Sequence, residues 1–199
     1  MAVISNGTTL INAGALDSGV ATGKLTLLST QTASNSSSIS FTSGINSTYD
    51  VYVFKFIDIH AGTDQANFTF NGSSDGGSSY GGDMTTTFFR AVHSESDSDT
   101  SLSYETDKDL ATSSSFQRLT HVQSSDNDGN AAGILILYGP SNTSTIKHFI
   151  SRTSLMQDGG LAFDANIAGY FHGTSVVNAV QFKMSSGNFD GIIKMYGVA

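Results

Sequence analysis

The amino-acid sequence predicts an all-β protein built as one sandwich or barrel domain. Three observations lead to this prediction: blocks of two-residue alternation recur along the chain, helix-forming segments are nearly absent, and Gly- and Asn-rich turn sequences separate the blocks. The chain has 199 residues, of which 38% are hydrophobic and 10% aromatic. It can therefore build one core despite its abundant Ser and Thr.

Four short blocks alternate between apolar and polar residues, as strands with one buried face do. Leu25 and Leu27 point to one side in the first block, and Ile39 and Phe41 do so in the second. The four blocks cover residues 24–27, 38–41, 67–70 and 180–184.

Two longer blocks, residues 51–59 and 134–138, are apolar at almost every position. Such runs suit central strands covered on both faces, so we expect the opposite sheet on one side and a neighbouring subunit or loop on the other. Further strands are predicted at residues 84–92, 116–122, 145–153, 166–172 and 191–197, which makes ten or eleven in all. The best helix candidate, residues 107–114, is short and ends in serines, so no helix is predicted there.

The first 23 residues differ from the rest of the chain. They are rich in small and polar residues and carry isolated apolar side chains that could anchor the chain on a partner: Val3, Ile4, Leu10, Ile11 and Leu16. We therefore divide the chain into an extended N-terminal arm, residues 1–23, and a β-sandwich domain, residues 24–199. A first edge strand of the same sandwich, or a frayed tail, is the alternative interpretation of the arm.

Composition and charge exclude several classes of protein. The formal net charge is −8 and only nine residues are Lys or Arg, so we expect no nucleic-acid partner. No run of 18 apolar residues is present, and the N-terminal residues lack the basic and apolar segments of a secretory signal, so we expect no membrane association. The absence of Cys excludes disulfides, thiolate metal sites and cysteine nucleophiles.

No catalytic or cofactor motif is complete in this sequence. Residues 19–24 lack two positions of a phosphate-binding loop, the five histidines have no metal-ligand spacing, and Glu95 and Glu105 are the only glutamates. We expect a non-enzymatic protein without a cofactor. The acidic segment 75–109 is interpreted as solvated loops, and a calcium site there is left open.

Five residues of that segment are candidates for surface recognition: Tyr80, His93, Glu95, Asp97 and Tyr104. Exposed aromatic rings beside carboxylates are typical of carbohydrate-binding surfaces, so a host-surface glycan is the ligand they would recognise. The alternative is that each tyrosine packs on its own loop.

Three segments resemble small virion proteins of tailed phages that infect aquatic bacteria, including cyanophages. They are residues 40–50, residues 87–95 and the C-terminal stretch 182–198, which ends in Met195-Tyr196-Gly197-Val198. The resemblance implies a jelly-roll-like antiparallel β-sandwich of about 8–11 strands, carried by the virion.

On this basis we expect a phage structural protein without enzymatic activity. A capsid decoration or head-fibre component, anchored through the N-terminal arm, is the first hypothesis, and a tail-fibre or receptor-binding module that recognises host surface carbohydrate is the second. We expect other virion proteins as partners, a homotrimer that covers the sheet edges, and assembly in the host cytoplasm.

Overall fold

The computed structural model describes residues 3–5, 8–12, 15–16, 25–157 and 159–198. Within these residues it contains fifteen strands and no α-helix, which confirms the predicted all-β class. Three short strands come first: β1 (Val3–Ser5), β2 (Thr8–Asn12) and β3 (Ala15–Leu16). Twelve strands follow: β4 (Leu25–Ser36), β5 (Ile39–Phe41), β6 (Val51–Ala61), β7 (Phe68–Ser73), β8 (Met84–Ser94), β9 (Thr100–Tyr104), β10 (Gln117–Arg118), β11 (Ala131–Tyr138), β12 (Lys147–Gln157), β13 (Leu161–Phe171), β14 (Ala179–Met184) and β15 (Phe189–Val198).

Two antiparallel sheets form the sandwich. The larger sheet has eight strands in the order β4-β15-β6-β11-β12-β13-β8-β9, and the smaller has four in the order β10-β7-β14-β5. Strands β1 to β3 pair with one another in a third, separate sheet. The antiparallel β-sandwich predicted above is therefore confirmed.

Alternation along each strand gives the large sheet two different faces. In β12, Phe149, Ser151 and Thr153 are buried, whereas the intervening Ile150 and Arg152 are exposed. We call the side turned towards the four-stranded sheet the inner face and the opposite side the outer face. Because neighbouring side chains alternate, each long strand contributes to both faces.

A cluster of phenylalanine rings fills the space between the two sheets. Phe182 of β14 lies at its centre and is fully buried. Its ring lies within 6.3 Å, centroid to centroid, of five other rings, those of Phe41, Phe54, Phe56, Phe68 and Phe70. Edge-to-face and offset contacts at such distances are favourable, so this cluster joins the sheets.

The four-stranded sheet covers only part of the inner face, and residues 105–124 cover the part formed by β8, β12 and β13. Leu119 is fully buried there, and its carbonyl accepts a hydrogen bond from the hydroxyl of Thr153. The hydroxyl of Thr86 donates to Oε1 of Gln117 at 2.6 Å. This segment thus completes the core without forming a long strand.

The structure differs from the predicted elements at several places. The strand predicted at residues 116–122 is reduced to Gln117–Arg118, because its ladder with β7 becomes irregular beyond that point. Leu119 still donates its N–H to the carbonyl of Phe68, but the N–H of Phe68 donates to the hydroxyl of Thr120 and not to a backbone carbonyl. Strand β9 at Thr100–Tyr104 was not predicted, since Leu102 is its only aliphatic residue. The boundary at residues 23 and 24 lies outside the described residues.

The N-terminal anchoring candidates fall on the small three-stranded sheet. Val3 and Ile4 lie in β1 and are exposed. Leu10 and Ile11 lie in β2, and Leu16 lies in β3. Whether these residues hold the chain on a partner stays a prediction.

Candidate interaction surfaces

The outer face of the eight-stranded sheet carries a row of apolar side chains across six strands. Residues paired in register on neighbouring strands point to the same face, so the pairing defines the row. It contains Leu27, Tyr196, Val53, Ile136, Ile150 and Ala168, in the order β4, β15, β6, β11, β12 and β13. We call this set the central row.

Apolar residues also flank the central row. On one side, Leu25, Val198, Val51 and Tyr138 form a second row. On the other side, a depression of about 380 Å³ opens among Phe89, Ile134 and Ile150, with Arg152 and Asn166 also in its wall. Several of these side chains lie open to solvent: Leu27 is 52% exposed and Ile150 is 44% exposed. A continuous apolar surface of this kind is typical of an interaction site.

Two lysines interrupt the apolar surface at one side of the outer face. Lys55 of β6 and Lys194 of β15 are direct cross-strand partners, so two positive charges lie side by side. Among the described residues, neither lysine forms a salt bridge. The ammonium of Lys55 lies 5.1 Å from the ring centroid of Tyr196 in the central row. Like charges placed directly opposite each other are destabilising unless an anion approaches them.

The opposite edge of the same face is acidic. It is formed by β9 and by the turn between β8 and β9, and its exposed side chains include Asp97, Asp99 and Leu102, the last being 75% exposed. The hydroxyl of Tyr104 donates a 2.6 Å hydrogen bond to Asp109, which raises the pKa of Tyr104. We call β9, the turn before it and Asp109 the acidic edge. Between the edge and the lysines, Arg152 and Asp164 form a two-hydrogen-bond pair that neutralises the middle of the face.

Ser94 holds the turn of the acidic edge in shape. Its hydroxyl oxygen accepts hydrogen bonds from the backbone N–H groups of Ser98 and Asp99, both at 2.9 Å. In the turn held by Ser94, the distance between Nε2 of His93 and Oδ1 of Asp97 is 3.2 Å. Glu95 is tied to the neighbouring turn, because its N–H donates to the carbonyl of Gly160 at 2.9 Å.

A partly buried ion network fixes the acidic edge to the core. Glu105, just after β9, accepts from Nε of Arg90 at 2.6 Å and from Nζ of Lys108 at 3.0 Å. Burial alone would raise the pKa of Glu105, but hydrogen bonds from Ser103, Lys108 and Arg90 outweigh it and lower the pKa to about 2. His121 lies close by, and its pKa is lowered to about 4. Burial is the largest cause, and the positive charges of Lys108 and Arg90 add to it.

The structure does not bring all five predicted recognition residues together. His93, Glu95 and Asp97 lie at one end of β8, and Tyr104 lies on β9 opposite Phe89. Tyr80 lies before the other end of β8. This strand has eleven residues and is about 35 Å long, so its length separates Tyr80 from the other three residues. One carbohydrate residue is too small to contact Tyr80 and Asp97 at once.

Tyr80 belongs to a loop with its own internal order. Its hydroxyl is buried, and a Cβ added at Gly77 would lie 2.6 Å from it. The carboxylate of Asp75 accepts hydrogen bonds from the hydroxyls of Ser73 and Ser79, which lowers its pKa. The Tyr80 hydroxyl thus packs against its own loop, as the alternative interpretation of Tyr80 expects, whereas Asp75 is exposed and bonds to serines of the same loop.

Comparison with known protein families, with curated proteins and with solved structures found no match. Within the residues that the structure describes, no three His, Asp or Glu side chains are grouped so that they could hold a metal ion. No helix in that part of the chain is long and apolar enough to cross a membrane.

The sequence indicated only part of the outer face. The apolar blocks at residues 51–59 and 134–138 were predicted to be covered on both sides. In the single chain their outer side is partly open: Val53 is buried, whereas Ile57, Ile134 and Tyr138 are exposed. Ile150 and Leu102 were not singled out, nor were Lys55 and Lys194. Phe89 was expected in the core beside Phe88, but it is 44% exposed because it lies on the outer face of β8. The period-2 pattern of residues 145–153 could have indicated Ile150, but the pairing of the two lysines depends on register between distant strands.

Proposed function

We propose that this chain is a non-enzymatic structural protein of a phage particle, a capsid decoration or head-fibre component that assembles through its outer face. The observation that carries the proposal is the apolar central row with two adjacent lysines beside it. The second sheet covers the inner face of the eight-stranded sheet, and the outer face carries apolar side chains. A sandwich of this kind is suited to association. Full burial of a Leu or Ile side chain is favourable by about 1.5–3 kcal/mol, and several such side chains lie on this face.

The proposal also covers how the chain attaches to the particle and how many copies assemble, as the sequence predicted. Residues 1–23 hold the chain on the capsid or on another virion protein, and the exposed Val3 and Ile4 support this role. The sandwich forms a homotrimer through the outer face, which also shields its open side. The likeness of residues 40–50, 87–95 and 182–198 to phage virion proteins supports placement in the virion.

The test is to purify the phage particles and identify their proteins by mass spectrometry, followed by cryo-microscopy of the same particles. We expect the chain in stoichiometric amounts, with all-β density on the capsid surface. Deleting residues 1–23 should abolish incorporation while the separate sandwich still folds and assembles. A chain found in infected cells but not in particles would refute the proposal, and normal incorporation of the deletion would refute the anchor.

Receptor binding is the second candidate, and one observation favours it. Tyr104 is 51% exposed, and its hydroxyl is bonded to Asp109, so an aromatic ring and a carboxylate lie together at the acidic edge. Such a pair can stack on and hydrogen-bond to a sugar ring. Binding of host surface glycans by the wild-type chain, lost on Tyr104→Ala and kept on Tyr80→Ala, would support this function. The absence of glycan binding would exclude it.

A further inference from the structure

We infer that a second copy of this chain covers the outer face, with the lysine side of one copy packed on the acidic edge of the other. This inference deepens the proposed function and rests on it for the need to assemble. The outer face sets two requirements for its partner: an apolar surface that matches the central row, and carboxylates opposite Lys55 and Lys194.

The lysine pair requires an anionic partner. Lys55 and Lys194 are adjacent across two strands and form no salt bridge within the described part of the chain. Their other cross-strand partners, Ile134 and Thr30, carry no charge. The chain carries only nine Lys and Arg against 17 Asp and Glu, so two basic residues side by side are a notable concentration. A surface that covers them with apolar groups alone would leave both ammonium groups desolvated and unpaired, which is costly.

A second copy supplies the required carboxylates. Asp97 and Asp99 are exposed at the turn of the acidic edge, and Asp109 is directed towards the outer face by Tyr104. Leu102 and Phe89, which are exposed on the same edge, supply apolar contacts. The lysines and the acidic edge lie on the same cross-strand row. One residue of each of the eight strands belongs to this row, in the order Thr30, Lys194, Lys55, Ile134, Arg152, Asn166, Phe89 and Tyr104. One face therefore carries both halves of a complementary contact.

The chain's own N-terminal segment meets the requirements less well. Residues 1–24 precede the edge strand β4 and contain apolar side chains, so their length and position would let them reach the face. Their only acidic residue, however, is Asp17. They can supply one carboxylate to a site that has two ammonium groups, whereas the acidic edge supplies at least three.

The area of the face suits a stable contact between two copies. Eight strands span about 34 Å at 4.8 Å per strand, and the eight residues of β11 span about 26 Å. The product, about 880 Å², is close to the 800 Å² or so that each partner buries in a standard-size interface. Contact of the lysine side with the acidic edge closes as a two-fold pair or as a three-fold ring.

Charge reversal tests the inference on the full chain. Lys55→Glu with Lys194→Glu makes both halves acidic, and Asp97→Lys with Asp99→Lys makes both halves basic. Because like charges then meet across the interface, we expect each double variant to associate at least about 100-fold more weakly than wild type in sedimentation equilibrium. The quadruple variant that carries all four changes restores opposite charges and should recover the wild-type assembly. Asp126→Lys with Asp128→Lys, in the loop before β11, repeats the charge change elsewhere and should leave assembly unchanged.

Thiol cross-linking gives a second measurement that does not rely on charge. The chain has no Cys, so a single introduced thiol is unique. A mixture of Lys194→Cys and Leu102→Cys chains should form a covalent pair under mild oxidation, whereas Lys194→Cys mixed with Thr143→Cys should not. Circular dichroism establishes that each variant is folded.

The outcomes separate the inference from the proposed function. Assemblies of two or three copies that the double variants lose and the quadruple variant recovers support the interface. A monomeric wild-type chain at micromolar concentration, or a quadruple variant as defective as the double variants, would overturn it. Absence of the chain from phage particles would refute the proposed function and leave this interface unaffected.

Discussion

Replacing Phe182 by Ala should be among the most destabilising single substitutions in the sandwich. The ring is fully buried on β14 and lies 5.3 Å from the rings of both Phe54 and Phe56, which belong to the opposite sheet. It is also stacked on Phe68 of its own sheet, with centroids 5.8 Å apart. Its removal therefore breaks contacts within the small sheet and between the two sheets.

The size of the effect follows from these contacts. Replacing a buried Phe by Ala destabilises a protein by about 3–5 kcal/mol, from lost burial and the cavity that remains. Each aromatic pair adds about 0.5–1.5 kcal/mol beyond burial, and Phe182 takes part in five. We therefore expect a loss in the upper part of that range, about 4–5 kcal/mol, in the free energy of unfolding.

Urea unfolding followed by circular dichroism measures this loss. All chains should be compared at one protein concentration, because assembly contributes to apparent stability. With a slope of about 2 kcal/mol per molar, the midpoint should fall by about 2 M urea. Phe116→Ala is the matched control. That ring is half-buried, and the ammonium of Lys183 lies 4.0 Å from its centroid, a cation–π contact that should contribute about 0.5–1 kcal/mol to stability. A Phe182→Ala midpoint no lower than that of the control would contradict the role of this ring in joining the two sheets.

Three further outcomes are expected. Stability should fall on acidification: the pKa of Glu105 drops from 4.5 to about 2 on folding and that of His121 from 6.5 to about 4, so the unfolded chain binds more protons below pH 6.5. Melting temperatures measured from pH 7 to pH 2 should show this decline, and Glu105→Gln should flatten it below pH 4.5. Gly191→Ala should destabilise by about 1–3 kcal/mol in urea, since its φ is +138° and a Cβ would lie 2.7 Å from the carbonyl of Asp58; an unchanged midpoint would contradict this. The chain without residues 1–23 should unfold at the same urea concentration as the full chain, and a large drop would show that those residues support the sandwich.

The strands of the sheet centre were predictable because their side-chain pattern is local. Residues 51–59 and 134–138 are apolar on both faces, and both blocks became long strands inside the eight-stranded sheet. Strand β9 was not predictable in this way, because its ladder with β8 is stabilised by pairing and by the Glu105 network, while its own side chains are mostly polar. Residues 116–122 show the reverse case: only Gln117–Arg118 pairs regularly with β7, and next to it the N–H of Phe68 donates to the hydroxyl of Thr120 in place of a backbone carbonyl.

The candidate surface was less predictable than the strands that carry it. Lys55 and Lys194 are 139 positions apart, and only the register of β6 with β15 makes them neighbours. The same holds for Ile136 and Ile150, which become partners through the hairpin of β11 and β12. Sequence reasoning grouped Tyr80 with His93 and Asp97 because they are close along the chain, but the length of β8 separates them.

Assembly through the outer face is most directly tested by the molar mass of the full chain in light scattering at micromolar concentration. We expect three times the 20.9 kDa of one chain for the wild type and a single 20.9 kDa mass for Ile150→Lys, which places a charge in the central row. Thr143→Lys, in the exposed loop between β11 and β12, should keep the wild-type mass. A wild-type mass of 20.9 kDa, or an Ile150→Lys variant that assembles like the wild type, would contradict the proposed role of this face.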